Sequence, residues 1–185
     1  MSILAIIQAR TSSTRLPGKV LMPIGQKPMV TYQLERVRRS KRIDQVIVAT
    51  STDSSDDELV EVVQSAGFKV FRGDLNDVLR RFHICAVQEQ AKTIVRLTGD
   101  CPLSDPELID ELIDAFTAGD WDYLANCVNE EELSVPDGFD AEVFRANLLE
   151  RADNEAQLPS EREHVTPWLR SEQASLRWGH FVHGN

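Results

Sequence analysis

Cysteine is nearly absent from this chain. Cys85, Cys101 and Cys127 are too few and too scattered for a disulfide framework or a zinc site. That scarcity favours a reducing compartment, and the cytoplasm is the expected location. Long apolar runs are also missing. The apolar start Ile3-Leu4-Ala5-Ile6-Ile7 falls far short of a bilayer and has no basic segment before it, so no membrane association is expected. There is no excess of basic charge either. A formal net charge of -10 argues against a nucleic-acid partner, which usually meets a basic stripe. Two phosphate-binding signatures are absent as well. Without G-x-G-x-x-G after the first strand, or G-x-x-x-x-G-K-[ST] anywhere, a dinucleotide oxidoreductase and a P-loop ATPase are disfavoured.

What remains is the composition of a folded protein, 42% hydrophobic and 27% charged, in a chain of 185 residues that fits one domain. Its charge is unevenly spread. Residues 1–50 hold 9 Lys+Arg against 2 Asp+Glu, and the remainder 11 against 28. Such asymmetry asks what anion the first segment meets. Arg36, Arg38, Arg39, Lys41 and Arg42 read as a solvated helix face, whereas Arg10, Arg15 and Lys19 are candidates for a ligand.

The hydrophobic pattern alternates strand and helix. Ile3–Ile7, Val46–Ala49, Lys69–Phe71 and Ile94–Leu97 read as short buried strands. Between and after them lie helical stripes: Val30/Leu34/Val37, Leu59/Val63/Ala66, Val78/Leu79/Phe82/Ala86 and Leu108/Leu112/Ala115. This predicts an α/β protein with a Rossmann-like, mostly parallel sheet sandwiched by helices. Past Tyr123 the rhythm changes. Residues 126–137 read as irregular, 141–144 as a strand, 147–156 as a helix, 166–170 as a helical turn and 176–182 as a last strand. A nucleotide-binding part over about 1–125 and a small accessory α+β lobe over about 126–185 are the expected organisation of a single domain.

In such a sheet, ligands bind beyond the carboxyl ends of the strands. Two loops belong there. Gln8-Ala9-Arg10-Thr11-Ser12-Ser13-Thr14-Arg15-Leu16-Pro17-Gly18-Lys19 gathers guanidiniums, an ammonium, hydroxyls and a glycine, an inventory suited to a polyphosphate. A solvated loop has the same composition. The second is Leu97-Thr98-Gly99-Asp100-Cys101-Pro102-Leu103. A carboxylate beside glycine at a strand end can hold Mg²⁺ against substrate phosphates, or can simply start a turn.

Taken in order, these segments resemble a known family. Ile6-Ile7-Gln8-Ala9-Arg10 running into Ser13-Thr14-Arg15-Leu16-Pro17-Gly18-Lys19, then Gly25-Gln26-Lys27-Pro28-Met29, resembles the opening of the CTP-dependent sugar-acid cytidylyltransferases, the CMP-KDO synthetase-like family. Val70-Phe71-Arg72-Gly73 with Asp77-Val78-Leu79, Arg96 to Leu103, Pro136 to Phe144 and Leu158 to Pro167 are most similar to its SpsF-type, spore-coat polysaccharide branch. The resemblance implies the nucleotide-diphosphosugar-transferase fold and CMP transfer from CTP to a sugar or sugar acid, with pyrophosphate released. It places Gln8, Ala9, Arg10, Ser13, Arg15 and Lys19 along the nucleotide, and Arg72 and Asp77 near the base. Arg10, Lys19 and Asp100 would be catalytic, Asp100 as the Mg²⁺ ligand. Asp137, Asp140, Glu142, Glu163 and His164 would form the sugar acceptor pocket. A homodimer is compatible with it, since such enzymes are often dimeric.

The resemblance also implies a further strand ending in an Asp that shares the metal. This chain stops at Asn185 before such a segment; the expectation is a truncated chain, and the alternative a shortened relative with an incomplete metal site. Two other functions compete. A glycosyltransferase of related fold would show two metal-binding Asp residues flanking one position, whereas Asp100 is followed by Cys101-Pro102. A non-catalytic nucleotide-binding or assembly protein would release no pyrophosphate.

Overall fold

The structure is a computed structural model that describes residues 2–13, 15–128 and 134–184. Strand β1 (Ile3–Gln8) leads into the first loop and a short hairpin, β2 (Pro23–Ile24) with β3 (Lys27–Pro28). There follow α1 (Met29–Val37), β4 (Gln45–Ser51), α2 (Asp57–Ser65), β5 (Lys69–Gly73), α3 (Val78–Gln88), β6 (Thr93–Thr98) and α4 (Pro106–Ala118). The last third adds β7 (Tyr123–Ala125), β8 (Glu142–Arg145), α5 (Leu148–Glu155), α6 (Pro159–His164) and β9 (Trp178–His180).

Seven strands form one sheet in the order β5-β4-β1-β6-β8-β7-β9. β1, β4, β5 and β6 are mutually parallel, and β8 alone runs against its neighbours. Strands from the last third therefore extend the main sheet rather than building a separate one. The chain winds outward from β1 to β4 and β5, then returns to lay β6 on β1's other side. The switch point, where loops diverge and leave a crevice, lies between the carboxyl ends of β1 and β6.

Alternate residues of the strands face opposite helix layers, so each face buries its own cluster. Leu4, Ile6, Ile47, Ile94 and Phe144 pack with Leu79 and Phe82 of α3, Leu149 of α5 and Trp168. Ala5, Ile7, Val48, Val95 and Val143 pack with Leu34 of α1, Leu59 and Val63 of α2 and Ile109 and Leu112 of α4. Apolar burial at roughly 25 cal/mol per Å² on both faces is what holds these layers.

Four structural details revise the sequence expectations. β7 lies where no strand was expected. The expected helical turn at 166–170 is a 3₁₀ turn at Trp168–Arg170, and the last strand shortens to Trp178–His180. Residues 159–164 form a helix, although none of them is buried. Arg162 reaches across to Asp77 at the start of α3 and to Asp153 of α5.

Candidate active site

The first loop is held at both ends. Just past β1, the Thr11 backbone N–H and hydroxyl both donate to Asp56 (2.8 Å each), and the hydroxyl also donates to the Ser55 carbonyl. Asp56 is buried and takes three further bonds, from the Thr50 hydroxyl and from the Ser51 N–H and hydroxyl at the end of β4. Burial pushes its carboxyl up, but these donors outweigh it and hold the acid below its usual range. At the far end, Gly18 adopts φ 70°, turning the chain into a 3₁₀ turn that buries Val20. Between these anchors Arg10 is partly exposed and Arg15 exposed.

The second loop closes onto the first. The Gly99 N–H donates to the Gln8 carbonyl at 2.8 Å, and a Cβ at Gly99 would stand 2.8 Å from that oxygen and 2.9 Å from the Ala9 Cβ. Only glycine lets the strands' ends approach this closely. Ser104 folds back to donate to the Cys101 carbonyl. Gln33 of α1 donates to the Thr98 carbonyl, and Arg36 to the Ser104 carbonyl. The consequence is that Asp100 sits opposite Lys19, with Nζ 2.8 Å from Oδ2. Burial raises the Asp100 carboxyl, but the bonds from Lys19 and Thr98 and the Lys19 charge bring it below the usual range. It is ionised at neutral pH.

Of the expected acceptor residues, Asp140 lies in the field of Asp100 and Glu163 meets the first loop. Asp140 is pushed above the usual carboxylate range by partial burial and by the charges of Asp137, Glu142 and Asp100, with Arg96 opposing. Asp137 is exposed beside it. Glu163 of α6 approaches Arg10 at 3.6 Å, which brings the last third of the chain to the first loop. His164 is exposed at the end of the same helix.

Other expected residues are placed differently. Glu142 is 4% exposed, with one oxygen on Arg96 and the other accepting from Tyr123 and Thr166 (2.8 Å each). It therefore offers no free oxygen to a sugar, and its place among acceptor contacts is corrected. Asp77 caps α3 by accepting from the Arg80 N–H and is clasped by Arg162. Arg72 is spent on the Ser51 and Asp53 carbonyls and on Asp57 (2.7 Å). Both brace the rim and have little left for a base. Arg36 and Arg42 are not merely solvated: Arg36 braces the second loop, and Arg42 pairs with Asp114 at 2.8 Å. Burial pushes the thiols of Cys85 and Cys127 up to about 12, so neither is a nucleophile.

Sequence reading missed Asp56, Arg96 and Arg162. Asp56 lies in the polar run that follows β4, where nothing in the sequence marks it as a buried acceptor. No helix is long and apolar enough to cross a membrane among the described residues.

Comparison with known proteins identifies this arrangement. Residues 4–183 match the cytidylyltransferase family. The chain is 41% identical over 182 residues to the spore coat polysaccharide biosynthesis protein SpsF of Bacillus subtilis, covering 95% of this chain and 72% of that one. A solved cytidylyltransferase from Leptospira borgpetersenii superposes with a TM-score of 0.93 at 35% identity, over 100% of this chain and 77% of that chain. CMP:2-keto-3-deoxy-manno-octonic acid synthetase, solved in complex with CTP, shares the fold with a TM-score of 0.77 at 20% identity, covering 98% and 90%. With the switch-point crevice and its two apposed loops in place, the chain belongs to the cytidylyltransferase family.

Proposed function

We propose that this chain transfers CMP from CTP to a sugar or sugar acid for a surface polysaccharide, releasing pyrophosphate. The observation that carries the site assignment is the Lys19–Asp100 pair, which joins a polycationic loop to a carboxylate across the switch point. Arg10 and Lys19 supply charge-assisted hydrogen bonds to the triphosphate, with Arg15 free to close on it. Gln8, Ala9 and Ser13 line the nucleotide beside them.

Mg²⁺ is the expected metal, and the donor set fits it. Mg²⁺ usually keeps several waters and takes one or two carboxylates beside substrate phosphates, rather than a complete protein cage. No group of three or more His, Cys, Asp or Glu arranged to hold a metal occurs among the described residues. Asp100 is ionised and half exposed, and Asp140 stands in its field with a carboxyl that a nearby cation would bring back down. When bound, the metal would neutralise phosphate charge. Lys19, released from Asp100 as the triphosphate enters, would bind the leaving oxygens. A sugar hydroxyl then attacks the α-phosphorus in line, the bond to the bridging oxygen breaks, and pyrophosphate departs with that electron pair. Asp137, Asp140, Glu163 and His164 remain the residues proposed for the acceptor; the hydroxyl's proton passes to one of these groups or to solvent.

Ligand-dependent melting tests the nucleotide assignment. A ligand at ~100 times its Kd adds about 2.7 kcal/mol of stability. CTP with Mg²⁺ should raise Tm more than ATP, GTP or NADH does. Stabilisation by NADH with none by any triphosphate would remove the reading.

A further inference from the structure

Arg96 and Glu142 face each other in the register of β6 and β8, and both are largely buried, with side chains 12% and 6% exposed. A buried ion pair is a poor means of stabilisation, because apolar side chains of like volume usually serve as well or better. The geometry shows a different use. One arm of the Arg96 fork is fixed by Glu142, whose other oxygen is in turn fixed by Tyr123 and Thr166. The second arm extends along the same face of the sheet to β1, where Nη2 donates to Gln8 Oε1 at 3.3 Å.

The chemistry then sets the orientation of Gln8. A guanidinium has donors and no acceptor, so only the amide oxygen can face it. The amide NH₂ must point the other way. Gln8 Nε2 makes no hydrogen bond to any described residue, and Gln8 lies just before Ala9-Arg10 with its carbonyl accepting from the Gly99 N–H. An NH₂ group held this way can engage only an acceptor. If the pair served strand register alone, Arg96 would need no second arm on Gln8.

We propose that Arg96 is a positioning residue: clamped by Glu142, it presents the Gln8 amide NH₂ to an oxygen acceptor of the bound nucleotide. This rests on the nucleotide reading above and deepens it. The acceptor oxygen belongs to the base and ribose or to the phosphates. It also gives Glu142 a function in place of acceptor contact, and it ties Thr166, just past α6, to the tip of β1.

A double-mutant cycle decides the matter, with CTP affinity as the readout. Arg96→Lys keeps the charge and loses the fork; Gln8→Ala removes the amide. Each should weaken CTP binding about tenfold, and the double variant should be no weaker than Gln8→Ala alone, because Arg96 acts through Gln8. Titrating cytidine and inorganic triphosphate separately locates the acceptor: the probe that loses affinity carries it. Should Arg96→Lys disturb folding, Arg96→Met with Glu142→Gln removes both charges while leaving an amide oxygen for Tyr123 and Thr166. That variant should melt near wild type yet bind CTP about tenfold more weakly. Unchanged affinity in Arg96→Lys, or a loss carried in full onto the Gln8→Ala background, overturns the inference. A wild-type chain that binds no CTP overturns the nucleotide reading and this inference with it.

Discussion

Asp56 shows how one buried carboxylate sets the shape of a flexible-looking loop. It accepts from the backbone or side chain of Thr11, Thr50 and Ser51, so it fixes where β1's loop leaves the sheet. Asp56→Asn would turn an NH₂ toward groups that are themselves donors. Orphaned buried donors cost about 1–3 kcal/mol each, and a loss of about 3 kcal/mol overall is expected. For a domain of this size that is a fall in Tm of roughly 6–12 °C. The pH dependence has a definite sign. The folded-state pKa lies below the unfolded one, so the stabilisation is complete above about pH 4 and is lost as pH falls through the depressed value. Asp56→Asn should flatten the acid limb below about pH 4 while lowering stability at neutrality. Urea titrations at pH 7 and pH 3 check it; an equal acid limb in both proteins would count against Asp56 as the anchor. In the sequence, Asp56 sat in a run of polar residues, and nothing there separates a buried acceptor from an exposed helix cap.

The elements were unevenly legible, for physical reasons. β1, β4 and β6 are buried on both faces and announce themselves as apolar runs. β7 is only Tyr123–Ala125, too short to carry a period. Helix α6 buries no residue and so writes no apolar stripe; it is held by Arg162 and by Glu161, which accepts from the Gln157 and Leu158 N–H groups. The Arg96–Glu142–Gln8 contact could not be read at all, because it depends on the antiparallel register of β6 with β8. The approach of β1 to β6 could be anticipated from the loops, but not its tightness, which rests on Gly99. Gly99→Ala would place a methyl 2.8 Å from the Gln8 carbonyl. Overpacking of this kind costs about 1–3 kcal/mol, and here it pries apart the loops carrying Lys19 and Asp100. A Tm lowered by roughly 2–12 °C with CTP affinity reduced about tenfold is expected. Calorimetry with a CTP titration measures both, and full CTP affinity in the variant would show that the close approach is dispensable.

Across the whole molecule, the charge asymmetry has two destinations. Part of the basic first segment is answered internally by the acidic helix α4 and the loop before it. Arg42 meets Asp114, the backbone at Lys41 and Arg42 donates to Asp110, and Arg36 lies 3.9 Å from Asp105. Another part, Arg10, Arg15 and Lys19, lies on the loop that leaves β1 at the switch point, where Lys19 meets Asp100 and Arg10 lies 3.6 Å from Glu163. There Lys19 is paired with the carboxylate to which the account assigns the metal, so Asp100 carries the central claim. Replacing Asp100 by Asn keeps size and turn propensity but removes formal charge. Titrating CTP with and without Mg²⁺ against wild type and Asp100→Asn is the direct measurement. The account predicts that wild type gains CTP affinity from Mg²⁺ and that Asp100→Asn loses most of that gain while melting normally. Equal Mg²⁺ dependence in the two proteins would contradict it.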